Sequence, residues 1–303
     1  MCHLDGFMRA WYLERMSEEQ LKSDSGLERL KKLPGSECMQ IEGFKNAYRI
    51  KVVDTGAWDR EALPHLSAIF GPMIYDAYAP DELKPLDPKN EAHRNELQSQ
   101  CEISFVGASE VYVRTNASQK PIGFLPIEYF HGDQATAVFR DIVVNKIDRI
   151  NVTAAYSLLR MLYADTQKKN VLAYTKDPRL ILLAYTFGTA GTRPRGSELT
   201  VSVGESTPTG DSDIDTAIAH TREDLRDKDS LASLPDVPGY VYLRGDKHIL
   251  PPNISEYSGY LAPILPVIGK MDELQQEEID RATAAGEEPH AVATIVVAVR
   301  KKI

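Results

Sequence analysis

The stretch from Pro121 to Gly188 most narrows the choice of fold, because its hydrophobic period changes in a fixed order. Residues 122–129 are extended in character and rich in β-branched and aromatic side chains. His131, Gly132 and Asp133 give a turn signal, and residues 135–144 read as a second strand closing on Ile142, Val143 and Val144. A polar loop follows over 145–151. Val152, Ala155, Leu159, Leu162, Tyr163 and Thr166 then fall on one face of a helix of about four turns. Residues 171–174 form a short strand. Asp177-Pro178 opens another helix over 180–187, and Gly188 stops it. A hairpin feeding a strand–loop–helix–strand–helix unit requires a mixed sheet with a parallel crossover.

Upstream, residues 7–32 read as a helical arm, broken by Pro34-Gly35-Ser36. Residues 47–53 are a strand. Trp58, Leu63, Leu66, Ile69 and Phe70 line a first helix, 91–98 a second, and 103–113 read as the strand before the hairpin. Pro80, Pro85 and Pro88 interrupt the helical tendency between these helices. The chain changes character after Gly188. Residues 198–203 alternate like a strand, and 205–229 are acidic. Asp211, Asp213 and Asp215 have the spacing that opens a calcium loop. The glycine after the third acid is missing and Arg222 stands at the twelfth position, so a solvated loop leading into a helix over 214–226 is the better reading. Residues 239–244 are a strand, 251–266 an ordered loop, and 271–285 a helix stopped by Gly286. Residues 291–299 are almost continuously apolar, the pattern of a buried interior strand. The expected organisation is an arm over 1–43, a catalytic-type domain over 44–204, and an extension over 205–303 that completes the sheet.

A net charge of −9 over 303 residues argues against a general nucleic-acid or anionic-membrane binder. No apolar run reaches about 18 residues, the length needed to span a bilayer, and the first residues lack the apolar core of a signal peptide. Cys2, Cys38 and Cys101 are widely spaced and form no metal pattern, which points to a cytoplasmic chain with reduced thiols. There is no nucleophile elbow, phosphate loop or dinucleotide fingerprint.

Over roughly residues 45–190 the element order resembles the GNAT family of N-acyltransferases. The fold this implies is α/β, or α+β by strict naming: a mixed, mostly antiparallel sheet with helices on both faces. The activity it implies is transfer of an acetyl or other acyl group from acyl-coenzyme A to a primary amine of a small molecule or protein. The pyrophosphate would lie on backbone N–H groups at a helix N-terminus, here Asn151, Val152, Thr153 and Ala154, beside Arg149. Arg149 and Ala154 fit the family's loop, whereas Val152 stands where its first glycine belongs. A backbone N–H at Val143 or Val144 would donate to the thioester oxygen. Tyr185 is the candidate acid, one position from the family's spacing to Gly188, and Asp141 and Glu128 are candidate bases. Between the first strand and the next, Tyr75 and Tyr78 are candidates for the acceptor wall. The alternative is a protein that keeps this fold without the chemistry, a structural or interaction module in an assembly such as a virion or a complex. Val152 and the displaced tyrosine favour it. A second copy or an assembly partner is a partner class consistent with the arm.

Overall fold

The computed structural model describes residues 26–78, 90–129, 136–139, 142–144, 157–162, 170–178, 180–183, 197–203, 215–216, 218–219, 222–223, 234–235, 237–243 and 262–302. The chain forms two compact units. The first comprises Met1–Glu128 and Arg140–Asp165, the second Tyr129–Phe139 and Thr166–Ile303.

In the first unit, β1 (Ser36–Gln40), β2 (Ala47–Val52), β3 (Glu110–Thr115), β4 (Pro121–Tyr129) and β6 (Val143–Val144) pair in that order, every ladder antiparallel. The β3–β4 turn is built on Asn116, whose Oδ1 accepts from the N–H groups of Ser118 and Lys120. That side-chain turn explains why a Pro-initiated strand follows so soon. Register then sorts the side chains by face. Val113, Phe124 and Val143 are in line across three strands, on the face where Ile50 and Val111 also lie. The helices Leu63–Tyr78 and Glu91–Phe105 bury Leu66, Phe70, Ile74, Cys101 and Phe105 against that face. On the opposite face, Tyr112, Leu125 and Ile127 are fully buried, and the helical residues 157–162 meet β4 through Leu158.

Two expectations are corrected here. Residues 103–113 are not one strand. The second helix continues to Phe105, with the Val106 N–H donating to the Glu102 carbonyl, and β3 starts only at Glu110. Cys101 and Phe105, one helical turn apart, both enter the core, so tertiary packing overrides the β-like run. Residues 36–40, placed in the helical arm, form β1. Gly35 takes a left-handed φ of 64°, so the breaker starts a strand. Residues 26–31 are helical as expected, and the rest of the arm lies outside the described residues.

Leu159 and Leu162 are buried, at 2% and 0% exposure, as the helical spacing requires; Ala155 lies outside the described residues. Leu159→Ala should destabilise the chain by about 2–5 kcal/mol in urea titration, the usual cost of a core leucine. A change below about 1 kcal/mol would refute the packing.

In the second unit, β5 (Thr136–Phe139) runs parallel to β7 (Asn170–Thr175), which is the crossover the sequence demanded. β10 (Ala291–Lys302) is interior. It pairs with β7 on one edge and with β9 (Tyr240–Leu243) and β8 (Ser197–Val203) on the other, all antiparallel. The strand pairing is thus mixed but mostly antiparallel, its parallel ladder among the described residues being in the second unit, and helices lie on both faces of the first unit's strands. The helix Leu265–Ala285 starts earlier than its apolar spacing indicated, because Pro266 sits in its first turn. Gly286 ends it with φ 71°. Its Met271 and Leu274 pack with Leu234, Tyr240, Tyr242 and Val292. Residues 215–216, 218–219 and 222–223 are helical, and Arg222 donates to the carbonyls of Val237 and Tyr240.

Candidate functional site

The described part of the candidate site is where β6 meets β4. Val144 is opposite Gly123 and Val143 opposite Phe124. Alternation sends Val143 into the aromatic core and Val144 to the other face, toward Leu158. Gly123 is what allows the approach. A Cβ there would lie 3.1 Å from the Val143 carbonyl oxygen, 3.2 Å from Leu158 Cδ1 and 3.5 Å from Val144 Cγ2. The glycine inside a strand pattern is the sequence signal that marked this close approach, and the sequence reading passed over it. Gly123→Ala should therefore cost about 1–3 kcal/mol by overpacking, against the usual gain from replacing a strand glycine. Equal or raised stability on thermal melting would show that β6 and residue 158 are not tightly seated.

Arg114 lies beside Gly123 on the same face and donates from Nη1 to the Lys45 carbonyl at 3.0 Å. Among the described residues it is the charged side chain that the ladder brings nearest to the Gly123–Val144 pair. Glu128 is different. It lies five residues further along β4, about 17 Å from Gly123 at the rise of a strand. That separation takes it out of direct proton-transfer reach of a group held at Val143 or Val144. Glu110, a buried carboxylate at 5% exposure that the sequence reading did not single out, is at the same distant end, opposite Ile127. Asp141, Arg149, Asn151, Val152, Thr153, Ala154 and Tyr185 lie outside the described residues.

Other reactive groups argue for what the first unit does not do. Burial pushes the Cys101 thiol up to about 12, so it is a core side chain and no thiolate nucleophile. Burial also raises Cys38 and lowers His65. Tyr75 is half-buried on its helix; the side chain of Tyr78 lies outside the described residues. Among the described residues, no group of three or more His, Cys, Asp or Glu could hold a metal ion. No helix among them is long and apolar enough to cross a membrane.

No family model and no curated protein matches the chain. Solved acetyltransferase structures are similar to part of it. One is a histone acetyltransferase-related acetyltransferase from Corynebacterium glutamicum, at 12% identity and a TM-score of 0.29, covering 44% of this chain and 81% of that one. Another is a GNAT-family acetyltransferase from Staphylococcus aureus, at 11% identity and a TM-score of 0.27, covering 48% and 82%. A third is a diaminobutyrate acetyltransferase from Paenibacillus lautus, solved with L-2,4-diaminobutyric acid and coenzyme A, at 12% identity and a TM-score of 0.27, covering 47% and 81%. A likeness at these scores carries no functional assignment.

Proposed function

We propose that the chain is an acyl-coenzyme A-dependent N-acyltransferase acting on a primary amine of a small molecule or protein, in the cytoplasm. One observation supports this reading above the others. A buried strand end, Val143–Val144, and the helical residues 157–162 that come after it in the chain are both seated on Gly123 of the same neighbouring strand. A strand end and a following helix packed on one neighbouring strand are the frame on which a pyrophosphate grip at a helix N-terminus is built.

In this reading the N–H groups of Asn151, Val152, Thr153 and Ala154, with the Arg149 guanidinium, bind the coenzyme's phosphates. The N–H of Val143 or Val144 donates to the thioester oxygen as negative charge develops on it. Asp141 takes the proton from the amine in preference to Glu128, for the reason of distance given above. Tyr185 protonates the departing thiolate. Val152 favours a second reading, a non-catalytic member of the same fold serving in an assembly or as a homo-oligomer. A β-branched residue resists the close backbone approach that glycine gives.

Titration calorimetry with acetyl-coenzyme A and coenzyme A on wild type, Val152→Gly and Arg149→Ala separates the two. The enzyme reading expects binding by wild type, equal or tighter binding by V152G, and about tenfold weaker binding by R149A, the loss of one charge-assisted contact. No heat and no thermal protection at millimolar coenzyme in any of the three leaves only the non-catalytic reading.

A further inference from the structure

The C-terminal strand has a register problem. Residues 291–299 read Ala-Val-Ala-Thr-Ile-Val-Val-Ala-Val, small and β-branched almost throughout. A slip of one residue would send every side chain to the wrong face. A slip of two keeps the faces and, within 291–299, exchanges Ala, Val, Ile and Thr294 among themselves. Burial therefore opposes a two-residue slip less strongly than a one-residue slip. Yet β10 holds one register against three strands, with Val297 opposite both Leu172 and Ser202, and Val292 opposite Tyr242.

The β7 ladder ends where Thr294 faces Thr175. Alternate residues of a strand address the same edge, so His290 and Val292 continue that edge beyond the end of β7. Two side chains from the helix Leu265–Ala285 take their backbone groups. Gln275 Nε2 donates to the His290 carbonyl at 3.0 Å, and the Val292 N–H donates to Gln275 Oε1 at 2.8 Å. The His290 N–H donates to Glu278 Oε1 at 3.1 Å. The carboxamide thus offers one donor and one acceptor, as a peptide group of a neighbouring strand would.

Both side chains are deeply buried, Gln275 at 6% and Glu278 at 3% exposure. Such burial is costly unless every polar atom is used. Both oxygens of Glu278 are used: Arg281 donates to it from Nε at 2.8 Å and from Nη2 at 3.0 Å, while Arg281 Nη1 reaches Glu287. Burial works against the Glu278 charge, but the hydrogen bonds from Arg281 and the His290 amide outweigh it and hold the carboxyl below its ordinary value.

We propose that Gln275 and Glu278 act together as a side-chain substitute for a missing strand, and that they fix the register of β10. Thr294 adds a second pin, its hydroxyl donating to the Gly239 carbonyl at 3.4 Å. A slipped β10 would move the His290 and Val292 groups away from both helix side chains and leave buried polar atoms without partners.

The test reads amide exchange and cross-strand contacts by NMR on the full chain, comparing wild type with Gln275→Leu and Glu278→Gln. In Q275L the Val292 amide should exchange about tenfold faster relative to Ala298, which keeps its β7 and β8 neighbours. A second set of contacts should appear, with Ile295 or Val299 opposite Leu172. In E278Q the His290 amide should lose protection while Val292 keeps it. A single register in Q275L, with Val292 and Ala298 changing together, overturns the proposal. Should Q275L not fold, the same readings on Gln275→Glu, which keeps the volume and the acceptor, decide between the same two outcomes.

Discussion

Deleting residues 289–303 should leave a chain that does not fold into a soluble protein. The deletion removes all of β10, and β7, β8 and β9 all pair with β10. Each of those three loses a ladder along one edge, and unpaired edges of apolar strands pair with other chains. The loss extends to side chains. Ala293 and Ile295 pack with Val138, Leu172, Ile218 and Val241, and Val292 packs with Met271 and Leu274. Gln275 and Glu278 would be left buried without their backbone partners, at a cost of about 1–3 kcal/mol for each unsatisfied group. Expression with separation of soluble and insoluble fractions, followed by calorimetry, gives the answer. A soluble truncation with one cooperative melt would show that β10 is dispensable.

The parts of the fold legible in the sequence are those where one period dominates. β10 carries a dense β-branched run, β4 and β7 carry β-branched and aromatic residues, and the helix ending at Gly286 carries both its apolar stripe and its stop. β1 was not legible. Its sequence Ser-Glu-Cys-Met-Gln has no apolar alternation, and it is a strand because the β2 edge offers a ladder from Ser36 to Gln40. The end of the second helix was hidden by Ile103, Phe105 and Val106, which suit a strand as well as a helix until Phe105 is placed beside Phe70. For the site, Val143 and Val144 could be put at the end of a strand from their pattern. The distance of Glu128 from them could not, because it depends on which residue of β4 faces Val144. Gln275 and Glu278 are polar residues on the same helical stripe as Met271, Leu274 and Ala282. Only their burial and partners show that they face β10.

Phe124→Ala should be the most damaging single substitution in the first unit, lowering stability by about 3–5 kcal/mol. Phe124 is fully buried and belongs to a cluster of four rings. Its centroid lies 4.7 Å from Phe70 and 5.2 Å from Phe105, and Phe105 in turn lies 5.0 Å from Phe70 and 6.0 Å, edge to face, from Trp58. These rings come from β4, from both helices and from the segment before them, so one truncation loosens four pieces of chain. Each such ring pair contributes roughly 0.5–1.5 kcal/mol beyond burial alone, and two of them end on Phe124. The consequence reaches the candidate site through register. Phe124 faces Val143, and the neighbouring pair is Gly123 with Val144. A cavity beneath Val143 removes the packing that presses β6 onto β4, so backbone amides of residues 143–144 should lose hydrogen-exchange protection before those of β2 and β3. Phe124→Leu, which keeps most of the volume, should recover at least half of the lost stability and that protection. Equal exchange at β6 in wild type and F124A, despite a large loss of stability, would mean that β6 is held by something other than the aromatic core.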